Sequence, residues 1–356
     1  MTLFSQLASY GAQWLFLFVP LAAGLAVTVW LVATGTPGPG NALQRMLHRA
    51  GTSLERVTGL PAWCSGGLLV GLLALTIAVI GFVWDVVWHV DQGRDAFLWT
   101  PAHLCILVGL SLIAGAAIVS ILLATVMEAD VGRRFRNIRI PNGALALLVL
   151  GAGALIGFPL DDLWHRAYGI DVTMWGPTHL LMISGASFAP LAMWMLLAEA
   201  GPAAGHPAFV RTAKATLAAA VLVGLSTFQL EFDLGVPQFQ QLYHPVLIAA
   251  AAGIALVAVR AAFGFGRALA ATVGFLAIRA VLALLVGPVL GGTLPRFPLY
   301  LGAAVAVELA FWLARRRRPL PTALAAGVAV GTLGLAAEWG WMQAWGRHPW
   351  GASLFP

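Results

Sequence analysis

Charge is what this sequence has least of. Of 356 residues only 10% are Asp, Glu, Lys or Arg, while 60% are hydrophobic and the mean hydropathy is +0.88. Soluble domains carry roughly 25% charged residues, so a water-soluble globule is excluded. Cysteine is nearly as scarce. Cys64 and Cys105 both sit in apolar runs, and no CxxC or CxxCH pattern is present. That argues against disulfide scaffolds, zinc knuckles, iron–sulfur clusters and covalently attached haem. No cation precedes Arg45, so the N-terminus lacks the basic segment of a signal peptide, and the first hydrophobic run is expected to stay in the mature protein. With no GxxxxGK[ST], GxGxxG or nucleophile-elbow motif, nucleotide-driven transport and serine hydrolysis have no support.

What the chain does have is long apolar runs. A bilayer crossing takes about 20 such residues. Runs bounded by Gly, Pro and charge predict helices at 13–34, 64–90, 101–127, 143–166, 177–199, 213–233, 245–263, 267–290, 297–314 and 320–342. The expected fold class is an all-α integral membrane protein with about ten transmembrane helices. Residues 1–63 would hold the first span and a basic cytoplasmic loop, 64–199 a duplicated pair of hairpins, and 200–356 a third hairpin-like unit with the C-terminal helices.

The charges are sorted by side. Arg45, Arg49, Arg56, Arg133, Arg134, Arg136, Arg139, Arg211, Lys214, Arg260, Arg267 and Arg315 to Arg318 all fall in alternate connections. The opposite connections hold only Arg94, Arg166, Arg296 and Arg347. The positive-inside rule then predicts a multi-pass protein of the cytoplasmic (inner) membrane with both termini extracytoplasmic. A pI near 10.1 reports that orientation rather than a nucleic-acid partner. Most acids and histidines map to the outer ends of the helices, where charges inside apolar segments need a compensating partner such as a bound cation.

Sliding the sequence by 76 residues superimposes Asp85 on Asp161, Trp88 on Trp164, His89 on His165, Gly93 on Gly169, Asp95 on Asp171, Trp99 on Trp175, Pro101 on Pro177, His103 on His179 and Leu104 on Leu180. Both copies run in the same direction, so this is a parallel repeat of a helical hairpin. Asp and His four apart share one helix face, and the second His follows a proline that opens the returning helix. A carboxylate and two imidazoles meeting at a helix end form a ligand set for copper, iron or zinc. The candidate metal ligands are therefore Asp85, His89 and His103, and Asp161, His165 and His179. A lone Asp-His pair at this spacing would read as a hydrogen-bonded helix end, and it is the second, gapless copy that favours metal. Asp95 and Asp171 would cap the returning helices or accept hydrogen bonds from ligand imidazoles.

Glu231, Asp233 and His244 mark a weaker third copy. They are candidates for an additional site, a hydrated outer loop being the alternative, and Glu338, near the end of the last helix and harder to leave solvated, is a further candidate. Arg279 and Glu308, deep in the eighth and ninth predicted helices, are expected to pair with each other.

The first copy reads Asp85-Val-Val-Trp88-His89, Arg94-Asp95-Ala-Phe97 and Thr100-Pro101-Ala-His103. It resembles the Asp-x-x-Trp-His … Arg-Asp … Phe-Thr-Pro-x-His segment of the C subunit of particulate methane and ammonia monooxygenases, over roughly residues 64–199. The resemblance implies copper on Asp85, His89 and His103, and a second copper position on Asp161, His165 and His179, where the family has Asn in place of Asp161. The present chain also has one extra residue before the Pro-x-His and more helices than that family. The function expected is a copper-dependent membrane oxidoreductase, resembling a monooxygenase, with an oligomeric assembly and a partner subunit or electron donor beside the lipid. The alternatives are a copper acquisition, storage or transfer protein working with an extracytoplasmic copper carrier, or a metal transporter.

Overall fold

In a lipid environment every backbone N–H and C=O must be paired within the chain, which leaves an apolar sequence of this length the helix as its element. The computed structural model describes residues 40–93, 99–169, 173–201, 205–314 and 319–354, with parts of 14–34. Ten helices lie in the stretches from residue 40 on. They are α1 (Ala42–Thr58), α2 (Ala62–Gln92), α3 (Pro101–Val126), α4 (Asn142–Tyr168), α5 (Pro177–Glu199), α6 (Pro207–Leu234), α7 (Tyr243–Phe263), α8 (Arg267–Val289), α9 (Leu301–Leu313) and α10 (Pro319–Trp345). All but α1 and α9 are long and apolar enough to cross a membrane, eight in total among the described residues. The protein is an all-α, multi-pass membrane protein.

Two predicted elements differ. The ninth predicted span, 297–314, is helical only over Leu301–Leu313, because the chain from Gly292 to Tyr300 is irregular and Tyr300 enters the helix at φ +58°. The basic connection after the first span is not a loop but helix α1. Asn41 and Gln44 close a reciprocal capping box at its start, and Gly59 at φ +69° ends it. Gln44, Leu47, Gly51, Leu54 and Thr58 make one stripe at helical spacing that packs inward, leaving the arginines outside. Between α3 and α4 the arginine-rich connection folds into a two-stranded antiparallel ribbon, Arg133–Phe135 with Ile138–Ile140. The described part of the predicted first span is helical at 22–30.

Helices in lipid gain little from hydrophobic burial against each other, so close backbone approach through small residues carries the packing. A Cβ on Gly109 would lie 2.6 Å from Ala78, and one on Gly185 2.6 Å from Ala154. One on Gly81 would meet Cys105 and the Ala102 carbonyl, and one on Gly157 would meet Met182. The α2–α3 and α4–α5 hairpins thus close on small residues, and both Gly–Ala contacts are separated by the same 76 residues.

Helices α1 to α5 and the start of α6 (Val210, Ala213, Leu217) pack around one apolar core, and the rest of α6 with α7 to α10 around a second. A smaller third cluster, including Val83, Val87, Met174, Leu230, Leu282 and Val286, joins the two halves.

Candidate metal centre

The two hairpins aim their polar residues by local means. Helix α2 ends at Gly93, φ +80°, and α4 at Gly169, φ +88°, conformations that suit glycine, each four residues beyond a histidine. On the return, Thr100 caps α3 by accepting from the His103 N–H at 3.3 Å, with Pro101 in the first turn. Pro177 opens α5 in the same way and puts His179 in its first turn.

In the first group Asp85 Oδ1 lies 3.0 Å from His103 Nε2, and Oδ2 lies 3.6 Å from His89 Nδ1. In the second, Asp161 Oδ1 lies 3.2 Å from His179 Nε2, and Oδ2 lies 3.8 Å from His165 Nδ1. Each residue offers one ligand atom, and within each group these atoms lie within 4.8 Å of one another. Either group has the donor set and spacing that could hold a metal ion.

The second group carries a further constraint. His179 Nδ1 lies 3.0 Å from the Thr173 carbonyl oxygen, which can only accept, so Nδ1 holds the proton. In the neutral imidazole Nε2 then presents its lone pair to the Asp161 carboxylate. A proton on Nε2 makes this contact a hydrogen-bonded ion pair, and a metal ion could take that proton's place, with the carbonyl contact the kind of support that orients a ligand histidine. Thr178 adds a donor to Asp161 Oδ1 at 2.5 Å, whereas the first hairpin has Ala102 at the corresponding position.

Both groups open onto one chamber of about 960 Å³ between the two halves of the molecule. The chamber runs down past Val79, Leu110, Ile183, Ala220 and Ile278, and its wall also includes Glu231 and Gln238. Phe158, one turn before Asp161, stands edge-on to His103 at 6.1 Å between ring centroids.

The other predicted site residues go elsewhere. Glu231 reaches the chamber wall but is occupied as an acceptor, from Thr173 Oγ1 at 2.8 Å and the Met174 and Gln238 N–H groups at 2.7 and 3.2 Å. Asp233 is buried against Arg279, with which it forms an ion pair. Glu338 accepts from the Leu299 and Tyr300 N–H groups at 2.7 and 2.8 Å. His244 is buried, stacked on Phe232 at 4.5 Å and set edge-on to Trp350. None of these four joins either triad. Asp95 and Asp171 lie outside the described residues. The expected Arg279–Glu308 pair does not form. Glu308 binds Arg260 Nε at 2.6 Å and the Ala268 N–H at 3.0 Å, since Arg260 closes α7 beside the start of α8.

Sequence reading missed Thr173 and Thr178. Thr178 was findable as the hydroxyl beside His179, but its orientation toward Asp161 follows only from the α4–α5 packing. Compared with known protein families, curated proteins and solved structures, the chain matches none.

Proposed function

We propose that the two Asp-His-His groups are copper sites and that the protein is a copper-dependent membrane oxidoreductase, its sites on the extracytoplasmic side. The observation that carries the metal reading is that one carboxylate and two imidazoles converge in each hairpin, their ligand atoms within 4.8 Å of one another. The choice of copper rests on the resemblance of the Asp85 to His103 segment to the copper monooxygenase C subunit and on the imidazole-rich ligand set. The recurrence of the ligands and of the Gly–Ala contacts at 76 residues supports duplication of one ancestral hairpin.

Bound copper with an open coordination position would supply dioxygen or substrate binding and one-electron chemistry. The chain's own residues do the rest. Asp85 and Asp161 bring one negative charge to each group, Thr178 fixes the Asp161 oxygen facing His179, and the Thr173 carbonyl sets the ring orientation of His179. The apolar chamber limits water and presents an apolar substrate to both groups. Electrons would come from a partner protein.

The test is metal analysis of detergent-purified protein by mass spectrometry, with copper EPR, for the wild type, His89→Ala and His165→Ala. Copper with nitrogen hyperfine structure, partly lost in each variant, is the expected result. Protein that stays metal-free after loading with copper, iron and zinc, with both variants folded, overturns the reading. Turnover-dependent oxygen uptake marks the oxidoreductase. Stoichiometric metal exchange without it marks a carrier, and metal flux into vesicles marks a transporter.

A further inference from the structure

The chamber is far longer than two metal groups need. On α2 its wall extends from His89 back to Leu72, seventeen residues, and on α6 from Glu231 back to Thr216, fifteen residues. At 1.5 Å per residue these are depths of about 25 and 22 Å, against about 15 Å for one leaflet of the bilayer's hydrocarbon. Its 960 Å³ lies at the upper end of the roughly 300–1,000 Å³ of ligand pockets.

The polarity is split along that length. The ionisable side chains on the wall, Asp85, His89, His103, Asp161, His179 and Glu231 among them, gather at the end where the triads lie. Below them the wall is apolar, and its hydroxyls are mostly committed within the protein. Thr76 donates to the Leu72 carbonyl, Ser187 and Thr227 share a hydrogen bond, and Thr227 also donates to the Gly224 carbonyl. A wholly polar ligand would leave this shaft unfilled, and a small apolar one would fill only part of it.

We infer that the chamber binds a single-chain amphiphile, its oxygen-bearing head at the triads and its long hydrocarbon chain down the shaft between α2, α5, α6 and α8. This names the substrate class of the proposed metal site and rests on that reading for the role of the head. Binding of the chain depends on the shaft alone.

The experiment uses the full-length protein in phospholipid nanodiscs with hexadecanol carrying a diazirine near the hydroxyl or near the far end of the chain. After illumination, crosslinks are mapped by mass spectrometry, with metal content measured on the same sample. The expected result is head-end labelling around His103 and Phe158 and tail-end labelling around Leu72, Thr216 and Ala220, suppressed at least tenfold by excess unlabelled hexadecanol but not by octanol. Ala220→Trp, which fills the shaft, should abolish the deep labels and spare the shallow ones. If that variant does not fold, the wild-type map and its competition decide alone.

Labels confined to exposed apolar positions outside the chamber, such as Ile254 and Val273, overturn the inference, as does deep labelling by a diazirine-bearing phospholipid but not by the alcohol. Chamber labelling in metal-free protein would retain the amphiphile site while removing the metal reading. Metal without chamber labelling would do the reverse.

Discussion

Thr178 is the residue that makes the two triads unequal. It donates to Asp161, and the first hairpin has Ala102 at the equivalent position, where no side-chain hydroxyl can do the same. Removing groups that orient a metal ligand typically costs ten- to hundredfold in affinity. Thr178→Ala, made in a His89→Ala background so that only the second group is read, should weaken metal binding by about that factor in a competition titration. An unchanged affinity would show that Asp161 needs no such support. A second residue-scale consequence concerns Asp233, which is 1% exposed and the ion-pair partner of Arg279. Asp233→Asn leaves a buried guanidinium without its anion and should cost about 3–5 kcal/mol, seen as a lowered unfolding temperature in detergent. Replacing both partners, as Asp233→Leu with Arg279→Met, should recover much of the loss, because the cost lies in the unpaired charge rather than the missing pair.

Glutamates that start another helix explain where much of the scarce negative charge goes. Glu55 of α1 accepts from the first N–H of α2 at 3.0 Å, and Glu199 of α5 accepts from Asn142 and Gly143 at the start of α4. Glu308 of α9 does the same for α8, and Glu338 of α10 accepts from Leu299 and Tyr300, the two residues just before α9. The first N–H groups of a helix have no partner within it, and a carboxylate there also meets the positive end of the helix dipole. Glu338→Ala strips the buried Tyr300 N–H and the part-buried Leu299 N–H of their acceptor and should destabilise by about 2–3 kcal/mol in thermal unfolding, while leaving metal content unchanged. At the same scale the hairpins close on glycine. Gly185→Val forces a side chain against Ala154 and the Leu150 carbonyl, so it should part α4 from α5. The second triad would then lose its metal while the first keeps it, a split that metal counting per chain reads directly.

At the scale of the molecule, both triads lie at one end of the helices and the arginine ribbon and α1 at the other, as the alternation of the chain requires. In intact cells a membrane-impermeant maleimide should label Tyr168→Cys, at a position 75% exposed beside the second triad, and leave Phe135→Cys, at a position 64% exposed in the ribbon, unlabelled until the cells are opened. The reverse pattern would invert the proposed orientation. Both native cysteines, Cys64 buried and Cys105 partly so, are free and are replaced by serine for this measurement. The division into two cores with a chamber between them is also a property of this scale, and it turns two separate hairpin ends into one compartment.

The sequence alone determined the fold class and the candidate ligands. Helices and their approximate ends follow from hydrophobic runs, prolines and glycines, because in lipid the backbone can only pair with itself. The triads follow from local spacing, since i and i+4 share a helix face and a proline fixes the return. Helix α1 was hidden because its arginines read as a loop, although its capping box was present in Asn41 and Gln44. Tertiary structure alone decided the partners of the deep charges. Arg279 meets Asp233 and Glu308 meets Arg260 because helix packing, not depth in the chain, sets which charged groups touch. It also decided that Glu231, Asp233, His244 and Glu338 serve packing and helix starts rather than a third triad, and that both groups open onto one largely apolar chamber. These depend on contacts between residues far apart in the chain, which no local pattern records.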